Sequence, residues 1–207
     1  MTIQTCNEVL LEGLALTEPE RSHENHGAVF YRFLLQVPRL SGAADTLPVL
    51  VSQALRDGVA AGETLRLSGQ LRSFNNRSGV GSRLVLTVYA KELLPAAGTA
   101  CNQILLHGTV CKPPIFRRTP LGRSICDLML AVPRRYGRAD YLPVITWGQV
   151  ALRASLLEVG ESLALEGRVQ SRIYHKVTDD GTTQERTAYE VSAMCLLPPD
   201  DSLRDPA

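Results

Sequence analysis

The chain repeats itself. CNEVLLEG, from Cys6, stands beside CNQILLHG, from Cys101, at an offset of 95 residues. Val37-Pro38-Arg39 meets Val132-Pro133-Arg134, and Leu47-Pro48-Val49 meets Leu142-Pro143-Val144, at the same offset. GETLRLSGQLRS from Gly62 matches GESLALEGRVQS from Gly160 at an offset of 98, and VYAKELLP from Val88 matches VSAMCLLP from Val191 at 103. Several blocks in one order with matched spacing are the mark of tandem duplication. The offset grows only before Gly160 and after Ser171, as connections tolerate. The chain is therefore expected to fold as two copies of one unit of about 100 residues. These run over 1–98 and 99–207 and join at the small-residue stretch PAAGTA, Pro95 to Ala100.

In the second copy, alternation and turn residues predict strands over 103–111, 123–135, 140–147, 161–174 and 186–197. Leu128, Leu130 and Val132 share one face of the second; Leu163, Leu165, Gly167 and Val169 share one face of the fourth. Between the third and fourth lies GQVALRASLLEVG. Its Val150, Ala154 and Leu157 at i, i+4, i+7 predict one short amphipathic helix ending near Gly160. The first copy repeats the pattern: Phe33, Leu35 and Val37 face inward, and Ser52 is placed to cap the matching helix. Three strands, a helix and two strands is the layout of an OB-fold, a five-stranded, partly open Greek-key barrel. The expected class is all-β, two tandem OB-folds each with one short helix; a small open α+β sheet is the alternative.

The third strand, ADYLPVITWGQ, holds the single tryptophan of the chain. Tyr141, Pro143, Ile145 and Trp147 point one way, and Leu142, Val144 and Thr146 the other. The first face is either further core or a platform on which something flat stacks.

Net charge is +1, so any basic surface must be local. The five cysteines show no CxxC spacing and no flanking zinc-ligand histidine, so no metal is expected, and reduced thiols in a cytoplasm fit them. His23 to His26, HENH, reads as a polar loop. Apolar runs are too short to span a bilayer. No phosphate-binding GxxxxGK[ST] loop and no GxSxG elbow occurs, so neither an enzyme nor a cofactor is expected.

NQILLHGTV, LMLAVPRRY, ADYLPVITWGQ, LEVGESLALEGRVQSRIY and TAYEVSAMCL together resemble the bacterial single-stranded-DNA-binding protein family. The resemblance covers nearly all of the second copy; the first resembles the family through the second. It implies that bases stack on Tyr136, Tyr141, Trp147 and Tyr174. Each stacked base is worth about 1–3 kcal/mol whatever its identity. The loop KPPIFRRTPLGR and the turn PRRYGR supply Lys112, Arg117, Arg118, Arg123, Arg134, Arg135 and Arg138, against Asp127 as the one acid in 112–138. Phe116 sits among these cations, and Arg172 and Lys176 follow on the fourth strand and the loop after it. Cations that track phosphates, interleaved with rings that take bases, are the footprint of a single-strand groove. Asp179 and Asp180 argue against a phosphate at the tip of the late loop.

The copies are not equivalent. The four ring positions fall in the first copy on Ser41, Thr46, Ser52 and Asn76, and its early loop, TEPERSHENHG, is acidic. Phe74 and Arg77 offer a displaced contact there; alternatively the face of Thr46, Pro48, Leu50 and Ser52 is an assembly surface. The second copy is thus expected to dominate single-stranded DNA binding, in replication, repair or recombination. The resemblance further implies a homodimer presenting four barrels, with replication or recombination proteins as partners. The ending LLPPDDSLRDPA, with Asp200, Asp201 and Asp205, lacks the hydrophobic acidic tip by which many family members recruit partners. Two alternatives stand: a protein-interaction adaptor of a primosome-like or mobile-element complex with weak DNA contact, and RNA binding, since stacking separates the sugars poorly.

Overall fold

The computed structural model describes residues 7–76, 83–177 and 181–197, without the side chain of Lys176. Cys6, Arg77, Asp179, Asp180, Asp200, Asp201 and Asp205 lie outside the described residues.

Two compact units form, and they do not follow the junction at 98/99. One holds Val9–Asn102 together with Val169–Glu190; the other holds Gln103–Arg168 with 191–197 and residues 7 and 8. The distal hairpin of the second repeat thus belongs with the first barrel.

In the first unit the elements are β1 (Asn7–Ala15), β2 (Glu20–Asn25), β3 (Ala28–Pro38), β4 (Ala44–Ser52), α1 (Gln53–Arg56), β5 (Thr64–Asn75) and β6 (Leu84–Leu94). Neighbours run β2-β3-β4-β6-β5-β1, and β1 also pairs with β3 through Leu14↔Gln36 and Ala15↔Leu35, which closes the barrel. The pairing of β4 with β6 is parallel, Val49↔Val88 and Leu50↔Tyr89. Such a pair is what a Greek-key crossover produces and a meander cannot. Leu11, Phe33, Leu35, Leu47, Val49, Leu67 and Val88 fill the interior.

The other unit repeats this with β7 (Cys101–Val110), β8 (Ile115–Arg118), β9 (Ser124–Pro133), a 3₁₀ turn (Arg135–Gly137), β10 (Ala139–Trp147), α2 (Gly148–Ala154), β11 (Ser162–Val177) and β12 (Thr183–Leu197). β7 pairs with β11 and closes on β9 through Thr109↔Ala131 and Val110↔Leu130, while β10 and β12 are parallel at Val144↔Val191. Leu128, Leu130, Val132, Leu142, Val144 and Leu165 face inward, as alternation predicts. Both units are OB-folds.

Matched glycines let the barrel strands cross closely. A Cβ at Gly69 would overlap the carbonyl oxygen of Tyr89, and one at Gly167 that of Ser192. These positions match across the repeat, which explains why both copies read SG or EG there.

Three expectations change. Each barrel carries a sixth, edge strand, β2 or β8, where loops were expected. All residues of both are exposed, so no apolar alternation betrays them. β2 forms because His26 and Gly27, at φ 50° and 78°, make the tight left-handed turn that matches strand twist. The second helix stops at Ala154, well short of Gly160, and buries Ala151 and Ala154, leaving Leu157 half-buried. Ser52 occupies the N-cap of α1, but its side chain makes no capping bond. The four described cysteines are free, and burial pushes the Cys101, Cys111 and Cys126 thiols up.

Candidate nucleic-acid interface

β10 carries the site. Asp140, Leu142, Val144 and Thr146 point into the barrel and are buried. On the outward face Tyr141 is 50% exposed and Trp147 41%. Ile145, between them in the alternation, is buried, so the platform is two separate rings rather than one continuous apolar strip. Trp147 is the last strand residue, and Gly148 beyond it has φ +59°. That left-handed step, which suits glycine, ends the strand and starts α2 directly behind the indole.

Tyr136 is 94% exposed and sits at φ 63°, ψ 39°, in the turn joining β9 to β10. A non-glycine residue in the left-handed region costs on the order of 1–2 kcal/mol. The turn is closed by Arg134 N donating to Arg138 O at 2.7 Å. The first unit builds the same closure, Arg39 N to Ala43 O at 2.7 Å, but places Ser41 where the tyrosine stands. An exposed ring held on a strained backbone is a feature of ligand-contact turns.

The cations divide into two groups. Arg117 makes a two-pronged pair with Asp127, at 2.8 and 3.2 Å, and Arg134 pairs with the buried Asp140 at 3.3 Å. Both are therefore partly neutralised. Asp140, two residues beyond the basic stretch, is an acid the charge count over 112–138 leaves out. Lys112, Arg118, Arg123, Arg135 and Arg138 are exposed.

Phe116 does not share the Trp147 face. Trp147 opposes Ile125, which opposes Arg117; Thr146 opposes Cys126, which opposes Phe116. Partners across a ladder point to the same side of the sheet, so Phe116, 39% exposed, lies on the opposite side of β8 from the indole's row. Arg172 and Tyr174 stand on the distal half of β11, which belongs to the first unit. The Arg172 guanidinium lies 5.8 Å from the centroid of the Tyr174 ring and 3.8 Å from Glu190. The Lys176 side chain lies outside the described residues.

Sequence reasoning missed a buried acid in each barrel. Asp45 and Asp140 match at the repeat offset; each is fully buried and pairs with the arginine of the Val-Pro-Arg block, Arg39 or Arg134. Their recurrence six residues after that arginine in both copies was the available signal.

Residues 101–197 match the single-strand binding protein family. Single-stranded DNA-binding protein 2 of Streptococcus agalactiae serotype V is 29% identical over 46% of this chain and 76% of its own length. The single-stranded DNA-binding protein A of Bacillus subtilis is 32% identical over 35% of this chain and 46% of its own, and the protein of Thermus aquaticus is 38% identical over 36% and 30%. These sequence matches thus span three quarters of the Streptococcus protein and less than half of the other two. A crystal structure of the Thermus aquaticus single-stranded DNA-binding protein superposes with a TM-score of 0.74 over 97% of this chain and 95% of that one, at 25% identity. The second repeat thus matches the single-strand binding protein family, and nearly the whole chain shares the fold of the Thermus aquaticus single-stranded DNA-binding protein.

Proposed function

We propose that the chain binds single-stranded DNA largely without regard to base sequence, in replication, repair or recombination in the cytoplasm, with no bond made or broken. The observation that carries this is the pair of outward rings, Tyr141 and Trp147, on one strand of a barrel whose adjoining turns expose Arg118, Arg123, Arg135 and Arg138. Rings take any base by its π-face, and the arginines neutralise phosphates. Relatives named for single-stranded DNA binding favour this over an adaptor with weak DNA contact.

The test is anisotropy of labelled oligo-dT at two salt concentrations, with a duplex of equal length as control. Binding should prefer the single strand and weaken with salt, each phosphate contact contributing about −0.7 to the slope of log K against log salt. No binding at low salt, or equal binding to duplex, would overturn the proposal and return the adaptor reading.

The family reading also gives a homodimer presenting four barrels. Light scattering on the full chain should report twice the 22.6 kDa chain mass; a single-chain mass at micromolar concentration would remove it.

A further inference from the structure

At Tyr136, Tyr141, Trp147 and Tyr174 the first repeat has no ring, yet its barrel is not ringless. Phe30, the third residue of β3, half-emerges from the outward face; the strand's inward row is Phe33, Leu35 and Val37. Its ring stacks on His23 of β2, with centroids 5.1 Å apart and planes 17° apart. It meets Tyr89 of β6 edge-on at 6.0 Å. The three rings come from β2, its neighbour β3 and, on the far side of β4, β6.

Their register is informative. Phe30 opposes Ser52, and Ser52 is the residue that matches Trp147. In the other barrel Trp147 opposes Ile125, which matches Phe30. The two barrels therefore hold the same cross-strand couple, ring against non-ring, with its ends exchanged. Opposed side chains sit about 4.5–5.5 Å apart, so the exchange moves the ring by one strand and keeps it at the same level of the barrel. Tyr89 adds a second ring beside Leu50, where the other barrel has Ser192 beside Ile145.

Part of this outward face is covered. Thr46 N donates to Ser171 Oγ at 3.1 Å, and Tyr189 and Val169 line one small hollow together with Pro48. The covered end is that of Thr46 and Pro48. The other end, with Phe30, Leu50, Ser52 and Tyr89, remains half-exposed. Arg32 is exposed on the same face, two residues from Phe30. It borders an open hollow of about 440 Å³ with Arg21, Ser22, Thr17 and Glu20 on its rim. Arg21 is paired to Glu24 at 3.1 Å, so this end offers rings and one exposed cation but little net positive charge.

We propose that Phe30 and Tyr89, with His23 and Arg32, form a second base-stacking surface for single-stranded nucleic acid on the first barrel. This rests on the function proposed above and adds a site to it. A surface rich in rings and poor in net charge holds bases rather than phosphates. Its contribution is thus largely indifferent to salt, unlike that of the second barrel.

The experiment uses the full chain and long oligo-dT. Phe30→Leu with Tyr89→Leu keeps apolar cover and removes both flat faces. Affinity should fall roughly 5- to 100-fold per ring lost, with the salt slope unchanged. A direct readout that does not depend on a loss places the reporter at the site: Phe30→Trp combined with Trp147→Phe leaves one tryptophan, on the first barrel. Oligo-dT should quench it while anisotropy reports binding. If anisotropy shows DNA bound but the indole at 30 is not quenched, or the double leucine variant binds as tightly as wild type, the second surface is wrong and the function proposal stands. If wild type itself binds no oligo-dT, the function proposal fails first.

Discussion

Tyr141→Ala together with Trp147→Ala is expected to weaken binding of oligo-dT by roughly 30-fold or more, since two stacked bases at about 1 kcal/mol or more each are lost. The estimate is a floor because the rings stand half out of the barrel wall, where a base can cover a full face. For the same reason the fold should survive: a fully buried ring costs about 3–5 kcal/mol when truncated, and these rings are not fully buried. Stability is controlled by Tyr141→Leu with Trp147→Leu, which keeps apolar volume and removes the flat surfaces. Both double variants should lose affinity by the same factor at low and high salt. Arg135→Ala with Arg138→Ala should do the opposite, flattening the salt slope and leaving the high-salt affinity nearly untouched. Anisotropy with a labelled oligonucleotide measures all of these, and wild-type affinity in the leucine variant would remove stacking from the mechanism.

How much of this was legible in the chain depends on whether a feature leaves a periodic trace. The barrel interior does: Leu128, Leu130 and Val132, or Phe33, Leu35 and Val37, alternate because one face meets the core. The outward rings of β10 were legible for the same reason, since one residue's place in the alternation places the next. β2 and β8 leave no trace, because every residue on them is exposed and their order comes from the hairpin turn and the partner strand. The face assignment of Phe116 needs a cross-strand register, which a single strand's pattern does not contain. Comparing the repeats position by position hid the Phe30 and Ser52 exchange, because the compensating residue lies 22 positions away in sequence and directly opposite in space. The division at 98/99 follows the duplication, while compactness follows contact. Tyr174 and Arg172 therefore belong to one repeat by descent and to the other barrel by packing.

That packing has a focal point, and removing it should be costly. The Asp45 carboxylate is fully buried and accepts from Arg39 Nε at 2.8 Å, from Arg39 Nη2, and from Ser171 N at 2.8 Å. Arg39 Nη2 also donates to Ser171 O at 3.2 Å. The carboxylate holds the guanidinium's pKa above its ordinary value, against the opposing pull of burial, so the arginine stays charged. Asp45→Ala leaves that cation without its carboxylate and strands the Ser171 amide. Breaking one side of a buried pair costs about 3–5 kcal/mol, so urea unfolding should report a loss in that range. Asp45→Asn keeps an acceptor and should lose less. Replacing both partners, Arg39→Met with Asp45→Leu, should recover part of the loss, because no unpaired charge remains. A contact that merely decorated the surface would cost about 0–1 kcal/mol. The hairpin carries the local signature: amide exchange at Ser171 should accelerate in Asp45→Ala before the barrel opens. A change below about 1 kcal/mol, or an unaltered Ser171 amide, would mean that this carboxylate is not what holds the hairpin to the first barrel.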